Sequence, residues 1–335
     1  MTKKIICLLL TLLLVACATT ASDITRTAQV KPGLGAFKVA AIFPGAVDDK
    51  AWNQSGYEGL KLIEKELGAE VAYADSVPEA DAEKLFRQYA KKGFDFIIGH
   101  GGEYIAAAKV VSAEFPRNKF AVMSSDAGNN KNFGALAFRA GELGYLTGVV
   151  SALKTKTNKV AYIGGEKYES LEEEATLFER GVKKINPSAE VFIDWVGSWT
   201  DADKASRISQ KLVAKGVDII TVNADTAYKG VIKVAAENKG VYAIRWNHAI
   251  PGLPEQQKPP PKMILTNAMQ QVPMVMLEGA TLVEQGRWEG KQYKFGLQEE
   301  TQDLTPFYGS LTPKQEELIN SLKEDIITGK IDATH

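Results

Sequence analysis

Thiols are almost missing from this 335-residue chain. Cys7 and Cys17 are its two cysteines, both near the start. Disulfides, cysteine nucleophiles and cysteine-ligated metals are therefore excluded from the body. Histidine is nearly as scarce, and His100, His248 and His335 are too scattered for a typical zinc cluster. Neither sign of charge dominates. The formal net charge is −1, so neither nucleic acid nor a polybasic membrane contact is expected. Nucleotide and catalytic signatures are missing too. No Gly-x-Gly-x-x-Gly opens the first helix, and "GHGGEY" lacks its spacing. No Ser-His-Asp order or nucleophile elbow is visible. The expectation is a protein that is not an enzyme and that needs no metal or cofactor.

What is there begins at the N-terminus. A short basic stretch, "MTKK", leads into an apolar run over residues 5–16. That run is too short to span a bilayer, which takes about 20 residues. It ends in "LVAC", an aliphatic residue and two small ones before Cys17, which resembles the lipobox of bacterial lipoproteins. The resemblance implies cleavage before Cys17 and a lipid on its sulfur. Two or more acyl chains suffice for stable anchoring. Residues 18 to about 36 are small and polar and read as a tether.

The body is long enough for two domains of about 100–200 residues each. Apolar runs such as "FKVAAIF", "FDFIIG" and "VDIITVN" alternate with amphipathic stretches such as "SGYEGLKLIEKELG". Continuous apolar strands flanked by helices predict parallel sheets covered on both faces. A faint repeat, "KKGFDFIIGHGGEYIAAAKVV" against "AKGVDIITVNADTAYKGVIKVA", points to two similar α/β lobes. The fold class expected is α/β, with two doubly wound, Rossmann-like lobes joined by a hinge. Residues 38–138 plus about 268–290 would form the first lobe. Residues 139–267 plus about 291–310 would form the second. A C-terminal helix within 311–335 would pack on one of them.

In open α/β sheets ligands sit beyond the carboxyl ends of the strands. Those ends supply Trp52, Asn53, Gly101 and Asp126 in the first lobe. They supply Trp199, Asp225, Trp246 and Asn247 in the second, and Gln270 in the return segment. Three of the chain's five tryptophans fall in this set. Aromatic faces with a few polar edges suit a flat heterocycle. Each residue also has a plainer reading. Trp52 could staple the first helix, Trp199 could pack within its lobe, and Asp126 could cap a turn. Asp48, Asp49 and Asp201 read better as caps than as contacts. Asn53 could cap the helix and touch ligand at once.

"DDKAWNQSGYEGL", "GALAFRAGELGYLTGVVSALKTKTNKVAYIGG", "FERGVKKINPSAEV" and "VGSWTDADKA", with the lipobox, together resemble the basic membrane protein family. These are substrate-binding lipoproteins of ABC importers, many for nucleosides or purines. The resemblance implies a type I periplasmic binding protein fold and a small-molecule ligand. It implies an ABC permease and its ATPase as partners, and a lipid anchor on the extracytoplasmic face of a bacterial membrane. A monomer is expected. It further implies a base between Trp52 and Trp199, with Asn53 and Asp126 on its edge. Tryptophan stands at both positions in place of the more frequent phenylalanine.

The chain departs from that pattern near the sugar. Where nucleoside-binding members carry "IGVDxDQ", this chain reads "AIRWNHA", placing Asn247 where an acid would grip ribose. Where they carry "LTSVVK", it reads "LTNAMQQ", placing Gln270 for lysine. "VNADTAYKG" adds Asp225 where the family has a Gly-rich segment. Hydrogen bonds to a charged acid are roughly twice as strong as neutral ones. The substitutions therefore favour a free purine-type base over a nucleoside. A sensory or adhesive lipoprotein that uses the same fold without transport is the other reading.

Overall fold

The structure is a computed structural model. It describes residues 37–252 and 260–334. Cys17, the signal-like run, the tether and most of the proline-rich segment at 251–262 lie outside the described residues.

The first lobe opens with β1 (Lys38–Ile42), α1 (Trp52–Leu67), β2 (Glu70–Ala74), α2 (Glu79–Lys91) and β3 (Phe96–Gly99). It continues through α3 (Ile105–Glu114), β4 (Lys119–Met123) and β5 (Phe133–Phe138). The second lobe runs through α4 (Ala140–Lys154), β6 (Lys159–Gly164), α5 (Glu169–Ile185) and β7 (Glu190–Trp195). It goes on with α6 (Ala202–Ala214), β8 (Ile219–Asn223), α7 (Tyr228–Glu237), β9 (Tyr242–His248) and β10 (Ile264–Gln270). The chain then returns through α8 (Val272–Glu284), β11 (Gln292–Phe295), β12 (Gln302–Leu304) and α9 (Pro313–Ile327).

The strands form two six-stranded sheets, ordered β11-β5-β4-β3-β1-β2 and β12-β10-β9-β8-β6-β7. All pairings are parallel except β12 on β10. The central strands are buried on both faces, which is why they read as unbroken apolar runs. In the first lobe α1 and α8 cover one face and α2 and α3 the other. In the second, α4, α5 and α9 cover one face and α6 and α7 the other.

Two boundaries differ from the sequence expectation. β11 pairs with β5 in the first sheet, Gln292 opposite Ala135, so residues 292–295 do not join the second lobe. Phe295 and Trp288 anchor that return in the first core. β10 pairs with β9 as far as Gln270, so the handover to the first lobe falls after Gln270 rather than at about 268. The chain thus crosses between sheets after β5, after β10 and after β11. The C-terminal helix packs on the second lobe through Ile319, Leu322 and Ile326.

The helix pair α4–α5 is unusually close. A Cβ on Gly148 would collide with the Phe178 carbonyl oxygen, and one on Gly181 with that of Tyr145. One on Gly144 would strike the backbone of Glu174. Glycine at these positions lets the two backbones touch, and it brings Glu174 hard against the end of the sheet.

Candidate functional site

The loop after β1 builds the first wall. Asp49 caps α1 from outside the helix. Its carboxylate accepts from the backbone N–H groups of Ala51 (2.8 Å), Asn53 (3.0 Å) and Gln54 (3.0 Å). These are donors that a helix start leaves unpaired. Asn53 is tied into the same loop. Its amide nitrogen donates to Asp49 at 2.8 Å and its oxygen accepts from Gly45 N–H at 3.2 Å. Both polar ends of Asn53 are therefore engaged within the first lobe.

Trp52, the first residue of α1, lies on His100 at the end of β3. The rings stack at 4.2 Å and 19°. The indole Nε1–H donates to the His100 carbonyl at 3.3 Å, and His100 Nε2 lies 2.9 Å from the Trp52 carbonyl. An N–H is needed at Nε2 for that second contact, so the bond fixes the tautomer. Gly56 sits beneath the His100 ring, where a Cβ would find no room. Burial pushes His100 down to about 3, so it is neutral at physiological pH.

Contacts cross from this wall to the second lobe. The Trp52 ring meets His248, at the end of β9, edge-on at 5.0 Å. The Ser55 hydroxyl donates to the Ala249 carbonyl at 2.6 Å. His248 is half-buried and pushed down to about 4, again chiefly by desolvation. Asp225, just beyond β8, is pushed up to about 6. Burial is the main cause, with the Asp49 charge of the facing lobe adding to it, while the Thr226 backbone N–H and Lys229 oppose it. Glu103 of the first lobe lies at an exposed position where partial desolvation still raises it, and its charge reaches Tyr168 of the second.

The remaining sequence-derived residues fall as follows. Trp199 lies close over Gly165, with Tyr168 tilted against it at 6.2 Å. Asp126 accepts from Gly128 N–H at 2.9 Å and pairs with Lys109 at 2.7 Å. That is turn-capping geometry with a charge partner. Gly101 precedes the short turn of 3-10 helix that leads into α3. Asn247 lies opposite Met269, and Gln270 opposite both His248 and Gln302, at the carboxyl ends of β9 and β10. Trp246 points into the second core, edge-on to Tyr162 at 6.3 Å, and is only 6% exposed. Trp52, Asp49 and Ser55 thus meet the end of β9 and Asp225 across the cleft. Trp246 stays within its lobe.

Sequence reasoning gave His100 and His248 no binding role, and passed over Tyr168 and the buried Glu174. On α5 the apolar stripe Leu171, Ala175, Phe178 carries Glu174 in its midst, so an acid on a buried face was a readable signal. The His100 contact with Trp52 had none, because 48 positions separate them. Among the described residues no group of three or more His, Cys, Asp or Glu is arranged to hold a metal. Among them, too, no helix is long and apolar enough to cross a membrane.

Comparison with known proteins agrees with this architecture. A family model described as "Bmp: ABC transporter substrate-binding protein PnrA-like" matches residues 36–332. A "CD4+ T-cell-stimulating antigen" of Listeria monocytogenes is 27% identical over 304 residues, 86% of this chain and 85% of its own. "Basic membrane protein A2" of Borrelia garinii is 28% identical over 295 residues, 80% of this chain and 85% of its own. "Transcriptional activator protein med" of Bacillus subtilis is 26% identical, over 78% of this chain and 79% of its own. Among solved structures, an ABC transporter solute-binding protein from Aeropyrum pernix superposes with a TM-score of 0.72 at 19% identity. It covers 88% of this chain and 92% of that one. A transcriptional activator of the comK gene from Bacillus halodurans gives a TM-score of 0.75 at 24% identity, over 88% and 99%. The match spans both sheets and every wall of the cleft between them, and the chain belongs to the Bmp family of PnrA-like ABC transporter substrate-binding proteins.

Proposed function

We propose that this substrate-binding protein is a lipoprotein anchored through Cys17 that captures a purine base, or a nucleoside-like flat heterocycle, between its lobes. It delivers that ligand outside the cytoplasm to an ABC permease driven by its ATPase. The observation that carries the ligand reading is the pair of half-buried tryptophans, Trp52 and Trp199, at strand ends of opposite lobes. A flat ring between two such walls gains stacking on both faces. The preference for a base over a nucleoside rests on Asn247 and Gln270, which carry no charge with which to grip ribose hydroxyls. Polar contacts would come from Asp225 and from Asn53 and Asp126 after a local rearrangement, since both of the latter are engaged within their lobe. Hinge closure of the lobes around the ligand then commits it.

Isothermal titration of the delipidated protein tests the ligand. Adenine, hypoxanthine and xanthine are expected to bind more tightly than adenosine and inosine. Nucleosides binding at least as tightly as bases would overturn the preference. Metabolic labelling with a radiolabelled fatty acid, wild type against Cys17→Ser, tests the anchor. A second reading, ligand sensing without transport, draws on the similarity to a Bacillus subtilis protein named as a transcriptional activator. Uptake of labelled base by cells lacking this protein separates the two: unchanged uptake would favour sensing.

A further inference from the structure

Glu174 is a carboxyl in an apolar place. It is 1% exposed, beneath the carboxyl end of β8, and among the described residues no cation bonds to it. Its hydrogen bonds come from neutral groups. The Tyr162 hydroxyl donates to Oε1, and the Asn223 amide nitrogen reaches Oε1 at 3.0 Å and Oε2 at 3.1 Å. Burial pushes Glu174 up to about 8. A buried acid without a counter-ion costs stability, and packing alone would favour an apolar residue there.

What this acid does is fix an amide. Asn223 closes β8 beside the Gly164–Gly165 turn, its carbonyl accepting from Gly165 N–H at 2.8 Å. An asparagine side chain has one donor end and one acceptor end. With a carboxyl against one end, only the NH2 can face it. An ionised carboxylate only accepts, and in the neutral acid the proton can sit on Oε1 and go to the Tyr162 oxygen, which leaves Oε2 to accept from Nδ2. Asn223 Oδ1 is then turned away from Glu174. No donor among the described residues reaches it, and it is not sealed from solvent. Two residues on stands Asp225, a second acceptor at the same strand end.

We propose that Glu174 is a positioning residue for ligand selection. Acting through Asn223, it sets an acceptor edge on the second lobe that favours heterocycles presenting an amino group over those presenting an oxo group. The choice of heterocycle rests on the function proposed above; the positioning of Asn223 does not. A site built around a hydrogen bond rejects the ligand that cannot complete it.

The test is Glu174→Gln. Since both carboxyl oxygens contact Nδ2, the new amide meets it with one accepting oxygen and one NH2, so the hold on Asn223 is weakened whichever way the glutamine lies. With neither orientation of Asn223 favoured, its NH2 spends part of its time turned toward the cleft. Two readouts follow. In the ligand-free protein, solvent exchange of the Asn223 side-chain amide protons, assigned by NMR through their loss in Asn223→Asp, should accelerate roughly tenfold or more. In calorimetry, the wild type's preference for adenine over hypoxanthine should fall severalfold. Asn223→Ala, which leaves the core acid in place, should erode the same preference and covers the case in which Glu174→Gln does not fold. Unchanged amide exchange and unchanged preference would overturn the inference, as would a wild type that favours hypoxanthine. If the wild type bound neither purine, the heterocycle reading would fall. Amide exchange alone would then decide the role of Glu174: acceleration upholds it and no change rejects it.

Discussion

Trp52 shows how a single residue serves a lobe and a cleft together. Its indole is stacked on His100 and bonded to it in both directions, while its edge meets His248 of the opposite lobe. Stacking of a base on an aromatic ring is worth about 1–3 kcal/mol. Trp52→Ala and Trp199→Ala are each expected to weaken heterocycle binding roughly tenfold in calorimetry. Trp52→Ala should also destabilise the ligand-free protein by about 1–3 kcal/mol, through the lost ring pair and Nε1 bond. Urea denaturation checks this. Glu174 carries a pH prediction. Its carboxyl goes from an ordinary 4.5 to about 8 on folding. A raised acid contributes stability that is fully present below pH 4.5 and is lost as pH rises through about 8. Glu174→Gln has no such slope, so wild type should lose stability relative to the variant between about pH 5 and pH 9. The capping role of Asp49 was legible in the sequence, since an acid just ahead of a helix start has one obvious partner set. The hold of His100 on Trp52 was not, because it joins segments that only the fold brings together.

At the scale of elements, the α4–α5 seam sets the second lobe. The glycines Gly144 and Gly148 of one helix and Gly181 of the other leave no space between backbones. Gly148→Ala would force the helices apart against a packed sheet. It should destabilise by about 1–3 kcal/mol, as overpacking does, measured by chemical denaturation. The sequence displayed the glycine spacing but not what it faced. The parallel strands were legible because burial on both faces leaves no polar alternation to confuse them. β11 was misassigned because "QYKF" is short, half polar and a sheet edge, so its local pattern carries little information about which sheet it joins. Trp246 read as a cleft residue from its position at a strand end. The pleat turns it into the core, and its position along the strand could not show that.

Across the whole molecule, Glu142 draws the hinge together. Its carboxylate, buried at the start of α4, accepts from Leu297 N–H at 2.7 Å and from the Gln302 amide at 2.8 Å. Gln302 also donates to the Arg139 carbonyl at 2.9 Å, and Arg139 pairs with Glu299. The first and third crossings are therefore bound to each other. Glu142→Ala leaves those donors unpaired in a buried place, at a cost of about 1–3 kcal/mol. It should also loosen the lobes, read as a larger radius of gyration by small-angle scattering. Two lobes were legible from the internal repeat. The knot of contacts at the hinge was not, because its members lie up to 163 positions apart.

The ring of Trp52 has a consequence for observing this molecule. Among the described residues it is the tryptophan with rings of both lobes against it. Trp195 and Trp246 lie against Tyr162, Trp288 lies against Phe96 and Tyr293, and Trp199 lies against Tyr168, each pair within one lobe. Indole emission depends on what lies against the ring, so parting the lobes changes the light from Trp52 while Trp195, Trp246 and Trp288 keep their surroundings. The protein carries its own optical gauge of opening, fitted at the place where a ligand would enter.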